Sequence, residues 1–179
     1  MARVRIAVAG AGLIGKRHIE EVDACEATEL AAVVEPGPAG PELADRYGVR
    51  LHTSLAELFA TGRPDGVILA TPNRMHVDGG MECVAAGLPV IVEKPVGDSV
   101  ESARRLVEAG EAAGVPVLTG HHRNYSPIMA TARAIIRSGR LGRLVAVTGT
   151  ALFHKPDAYF DENGGGGRPP RGGTHPPHP

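Results

Sequence analysis

Arg3-Val4-Arg5-Ile6-Ala7-Val8-Ala9 runs straight into Gly10-Ala11-Gly12-Leu13-Ile14-Gly15, and the reading of that junction decides the fold of this 179-residue chain. Arg3 to Ala9 alternates and then turns continuously apolar, as a strand does when both of its faces become buried. Leu13, Ile14, His18, Ile19 and Val22 then recur at helical spacing. The junction therefore reads as strand, glycine turn, helix, the one context in which G-x-G-x-x-G carries weight.

Outward from the turn the same alternation continues. Leu30 to Val34, Gly66 to Ala70 and Leu88 to Val92 are short apolar runs of strand length, and Val115 to Thr119 is a further short strand. Helical patterns separate them at Pro41 to Tyr47, Ser54 to Ala60, His76 to Ala86 and Ser99 to Ala113. The last opens on Asp98-Ser99 as cap candidates and closes at Gly114 before Pro116. Strands alternating with helices at this spacing predict an α/β fold, a doubly wound parallel sheet with helices on both faces.

The three glycines have separate tasks. Gly10 permits the tight turn, Gly12 admits a phosphate close to the backbone, and Gly15 lets helix and strand pack closely. A pyrophosphate so placed meets the free N–H groups of a helix start, where Leu13 and Ile14 supply the next two. Glu35 ends the second strand, where a carboxylate accepts hydrogen bonds from an adenosine ribose and repels a 2′-phosphate. NAD is thus expected over NADP. The same stretch almost spells a nucleotide-triphosphate loop, Gly10 to Gly15-Lys16, but Arg17 stands where a magnesium-binding hydroxyl is needed. Only the dinucleotide reading explains Gly12 together with Glu35.

Composition narrows the partner. A net charge of -1 from scattered Lys and Arg leaves no electrostatic footprint for nucleic acid or a membrane surface. No apolar run reaches the roughly 20 residues that cross a bilayer, and the N-terminus lacks a signal-peptide pattern. A cytoplasmic protein with a small-molecule partner is expected. Cys25 and Cys83 stand apart, without a CxxC or a histidine-rich neighbourhood, and read as structural thiols with no metal site.

Two more motifs fall at the carboxyl ends of strands, where doubly wound sheets bind ligands. They are Ala70-Thr71-Pro72-Asn73-Arg74-Met75-His76 and Glu93-Lys94-Pro95. With the glycine turn, in this order and spacing, the chain resembles the Gfo/Idh/MocA oxidoreductases over about residues 3 to 161. The resemblance implies that Ala70, Thr71, Pro72 and Asn73 line the cofactor near the nicotinamide, with His76 starting the next helix beside them. It places Glu93 at the nicotinamide ribose and projects Lys94 into the substrate site, as a cofactor contact and the catalytic group that polarises the hydroxyl being oxidised. A cis Lys94–Pro95 bond is compatible with the motif. His18 matches a histidine often found on the family's first helix and reads as packing. His122 resembles a position near the substrate, and His121-His122 reads equally as a solvated strand end, while Arg123-Asn124 departs from the paired basic residues of the subgroup that Tyr159-Phe160-Asp161 resembles.

The resemblance implies a sugar, cyclitol or related polyol as substrate and allows a homo-oligomer in the full-length form. After Gly120 the pattern changes: Ser126 to Ser138 reads as a helix, Gly139 to Gly142 as its exit and Leu144 to Thr150 as a strand of a new sheet. The expected division is a dinucleotide-binding domain at 1–120, the start of a truncated α+β substrate domain at 121–162, and a disordered tail at 163–179. That tail holds only Asn, Gly, Arg, Pro, Thr and His, a composition that GC-rich DNA yields out of frame. In the family the general base, a histidine supported by an acidic or amide residue, lies beyond Phe160. A frameshifted or early-stopped chain with little dehydrogenase activity is therefore expected. The competing reading from a different class is a dinucleotide-binding module without catalysis.

Overall fold

The computed structural model describes residues 2–150 and 152. Six parallel strands form one sheet: β1 (Val4–Ala9), β2 (Thr28–Val34), β3 (Arg50–His52), β4 (Gly66–Leu69), β5 (Val90–Val92) and β6 (Val117–Thr119). Their spatial order is β3-β2-β1-β4-β5-β6. The order reverses between β1 and β4, which opens a crevice beyond their carboxyl ends. The helices are α1 (Leu13–Ala24), α2 (Ala39–Tyr47), α3 (Leu55–Thr61), α4 (His76–Ala85), α5 (Val100–Ala113) and α6 (Pro127–Arg137).

The apolar runs are explained by the two cores that sandwich the sheet. Along β1, Ala7 and Ala9 belong to one core while Val8 belongs to the other; along β4, Val67 and Leu69 part from Ile68 in the same way. Successive side chains point to opposite faces, so a strand covered on both sides must be apolar at every position. Ile19, Val22 and Leu43 from α1 and α2 close one core. Leu55, Leu58, Val77, Cys83, Val84 and Leu106 from α3, α4 and α5 close the other. Leu106 is fully buried, and its methyl carbons lie so near Gly80 that a Cβ there would come within 2.6 Å of them. Leu106→Ala is expected to cost about 2–5 kcal/mol of unfolding free energy, measurable by urea denaturation; a loss below about 1 kcal/mol would show that the α4–α5 packing is not as tight as described.

The helix boundaries follow the local chemistry. Ser99 caps α5, its hydroxyl accepting from the Ser102 N–H while Ser102 reaches back to the Ser99 N–H, and Gly114 ends the helix at φ 64°. Ser54 caps α3, its hydroxyl accepting from the Glu57 N–H. Burial pushes the Cys83 thiol up to about 12, so it is an inert core group, while Cys25 is exposed with its pKa lowered, chiefly by a hydrogen bond from the Ala27 backbone.

Two expectations need correction. β3 was not anticipated: it is a three-residue edge strand that pairs only with β2, too short to show a periodic signal. The strand expected at Leu144 to Thr150 is absent; that stretch has no regular structure, and Val145 and Val147 are exposed. Among the described residues no strand pairs with it, and a lone strand leaves its backbone groups without the ladder that stabilises them. The compact unit built on the sheet runs past Gly120 to Ala130, with a second unit from Thr131. The tail expected at 163–179 lies outside the described residues.

Candidate functional site

The glycine turn sits where the sheet order reverses. Gly10 adopts φ +97°, with its N–H bonded to the Val34 carbonyl at 2.9 Å, and any Cβ there would come 2.5 Å from the Ala70 carbonyl oxygen. Gly15 packs against the Gly10 carbonyl so closely that a side chain would overlap it. Gly12 differs: a Cβ on it would meet nothing within 4 Å. The protein's own packing therefore explains Gly10 and Gly15 but leaves the Gly12 side open. Gly12 is also the N-cap of α1 and contributes no side-chain cap, and no acidic residue occupies the first turn. Leu13, at the rim, is 80% exposed. An uncapped helix start beside an open glycine is what a pyrophosphate requires.

Glu35 folds back over this turn. One carboxylate oxygen accepts from the Ala11 N–H at 2.7 Å and the other from the Gly37 N–H at 2.7 Å. These two bonds hold the acid beside the turn, each oxygen keeping further acceptor capacity for a ribose hydroxyl.

The Thr71 and Lys94 motifs lie on neighbouring strand ends and are tied by His76. That side chain is 1% exposed; its Nδ1 lies 2.7 Å from the Pro95 carbonyl oxygen and its Nε2 2.8 Å from the Thr71 carbonyl oxygen. A neutral ring donates to one of the two and an imidazolium to both. His76 thus stands behind the motif residues and links the loop after β4 to the loop after β5. Pro72 leads into a short 3-10 turn, Asn73–Met75, that starts α4. The Thr71 hydroxyl is buried without a hydrogen-bond partner among the described residues, which leaves one polar group for a bound molecule.

Glu93 follows β5 and is 7% exposed. Its Oε1 lies 2.9 Å from the His18 Nε2 and its Oε2 accepts from the Lys94 N–H at 3.1 Å. The Lys94–Pro95 bond is cis and Lys94 is exposed. Lys94, Gly120, His121, His122, Arg123 and Asn124 line a cavity of about 380 Å³ that holds no acidic side chain. A larger cavity of about 440 Å³, among Arg5, Arg50, His52 and Arg63, includes none of the candidate residues.

The structure thus gathers the sequence candidates at one end of the sheet. Helical spacing could have indicated the side on which His18 lies, since it falls three residues after buried Gly15 and four before buried Val22. Its pairing with Glu93, 75 residues away, had no sequence signal. Among the described residues no group of three or more His, Cys, Asp or Glu could hold a metal, and no helix is long and apolar enough to cross a membrane.

Several known proteins are similar to this chain in sequence and fold. The rhizopine catabolism protein MocA of Rhizobium meliloti is 33% identical over 167 residues, covering 93% of this chain and 53% of that protein. Inositol 2-dehydrogenase 2 of Saccharopolyspora erythraea is 33% identical over 144 residues, covering 78% and 42%. The WlbA dehydrogenase of Bordetella pertussis, solved with NADH and UDP-GlcNAcA, superposes with a TM-score of 0.84 at 29% identity, covering 89% of this chain and 50% of that one. The chain spans about half the length of these relatives. The family model for oxidoreductases with an NAD-binding Rossmann fold matches residues 4–121, which take in the glycine turn, Glu35, the Thr71 motif and Lys94, and the chain belongs to that Gfo/Idh/MocA family.

Proposed function

We propose that this chain forms the NAD site and the Lys94 side of the substrate site of a dehydrogenase acting on a CH–OH group of a sugar, cyclitol or related polyol. The observation that carries the reading is the open Gly12 cradle at the uncapped start of α1, flanked by the anchored Glu35 carboxylate. The pyrophosphate would take the free N–H groups of Gly12, Leu13, Ile14 and Gly15, and the adenosine ribose would take Glu35. Ala70, Thr71, Pro72, Asn73 and Glu93 would form the nicotinamide end, with His76 holding the two motif loops together. When bound, NAD supplies a hydride acceptor.

The chain's own contribution to that chemistry lies mainly in Lys94. Its ammonium, exposed beside the cavity, can donate to the oxygen of the substrate hydroxyl and stabilise the negative charge that develops there. The relatives named for inositol 2-dehydrogenase and for the complex with NADH and a nucleotide sugar support a polyhydroxylated substrate. A homo-oligomer and a cytoplasmic setting belong to the same proposal.

Glu35 supplies the test of cofactor choice. Its negative charge repels a 2′-phosphate, so Glu35→Ala is expected to narrow the preference for NADH over NADPH by about tenfold, the equivalent of about 1.4 kcal/mol. Parallel fluorescence titrations with the two cofactors measure this ratio. A ratio unchanged from the parent chain would show that another residue reads the ribose.

A further inference from the structure

The Glu93 carboxylate occupies a slot with three walls. His18 of α1 approaches Oε1 at 2.9 Å, the Lys94 N–H donates to Oε2 at 3.1 Å, and Gly120 closes the third side, where a Cβ would come within 2.6 Å of Oε1. The Glu93 N–H is anchored to the Leu69 carbonyl at 2.9 Å, and the Gly120 N–H to that of Val92 at 2.8 Å. The backbone around the slot is thus held by the sheet, whereas the carboxylate is held from outside the sheet's ladder by one side chain, that of His18. The contact joins residues 75 apart in sequence. It also links the helix whose start forms the Gly12 cradle to the turn that carries Lys94.

We infer that His18 is a positioning residue for the Lys94 turn: its Nε2–H fixes the Glu93 carboxylate, which in turn fixes the Lys94 backbone and presents the nicotinamide end of the site. The Nε2–H tautomer is sufficient for this, because Glu93 needs one donor at Oε1 and the Lys94 amide already serves Oε2. A histidine that merely filled space would be replaceable by an apolar group of similar size. A positioning histidine requires a donor at the distance of Nε2, which glutamine supplies and leucine or asparagine does not.

The experiment is amide hydrogen exchange on the ligand-free 179-residue chain, comparing the parent with His18→Leu and His18→Gln. His18→Leu is expected to speed exchange at the Lys94 N–H about tenfold, while the Glu93 and Gly120 amides, bonded to backbone carbonyls, keep their rates. His18→Gln is expected to stay within about threefold of the parent at Lys94. Should His18→Leu fail to fold, His18→Asn, which is polar but too short, is expected to give the same rise. An unchanged Lys94 rate, a uniform rise at all three amides, or equal rates for the glutamine and leucine chains would overturn the inference. The inference rests on the cofactor reading only for its second readout, a weaker NADH affinity in His18→Leu that His18→Gln restores. Failure of the parent chain to bind NADH would refute that reading, whereas the exchange pattern alone decides the role of His18.

Discussion

Gly15→Ala is expected to lower the unfolding free energy by about 3 kcal/mol, a large effect for a single methyl group. A Cβ at Gly15 lands on the Gly10 carbonyl, with the Gly10 carbonyl carbon 2.7 Å away. These are backbone atoms, so no side chain can swing aside. Gly10 itself is held at φ +97° by its bond to Val34 and by the Ala70 carbonyl against it. Relief must therefore come from moving α1 away from β1, which opens the core around Ile19 and Val22. Thermal denaturation measures the effect, and a melting temperature within a degree of the parent would show that the turn has more slack than these distances allow.

Gly12→Val is expected to do the opposite: leave folding intact and weaken binding. A Cβ added there meets no atom within 4 Å outside its chain neighbours, and the φ of -68° and ψ of -173° suit any L-residue. It fills the space that the pyrophosphate would occupy. If the overlap costs about 3 kcal/mol, NADH affinity falls about 100-fold. Retention of parent-like affinity would remove the cradle from the account. The two glycines lie three residues apart in one motif, Gly12 at the extended helix cap with open space opposite and Gly15 within α1 against the Gly10 backbone.

Much of this was legible in the sequence because the relevant signals are local. The apolar runs of β1, β2, β4 and β5 declare two-sided burial, Ser99 and Gly114 bracket α5, and the glycine turn, Glu35, the Thr71 motif and Lys94 all fall at strand ends. What escaped notice depends on partners far away in sequence. Arg50–His52 is a strand only because β2 offers it an edge. Leu144 to Thr150 has the apolar residues of a strand but pairs with no described strand, so propensity alone does not order it. His18 could be placed on a helix, yet its bond to Glu93 depends on how α1 lies against the end of β5. The same holds for His76, whose two carbonyl contacts come from loops after different strands.

A working NAD site in this chain is measured by titrating the purified 179-residue protein with NADH and with NADPH while following nicotinamide fluorescence. Saturable binding at one site, with NADH preferred, is expected. An absence of saturable binding, or NADPH binding as tightly as NADH, would contradict it.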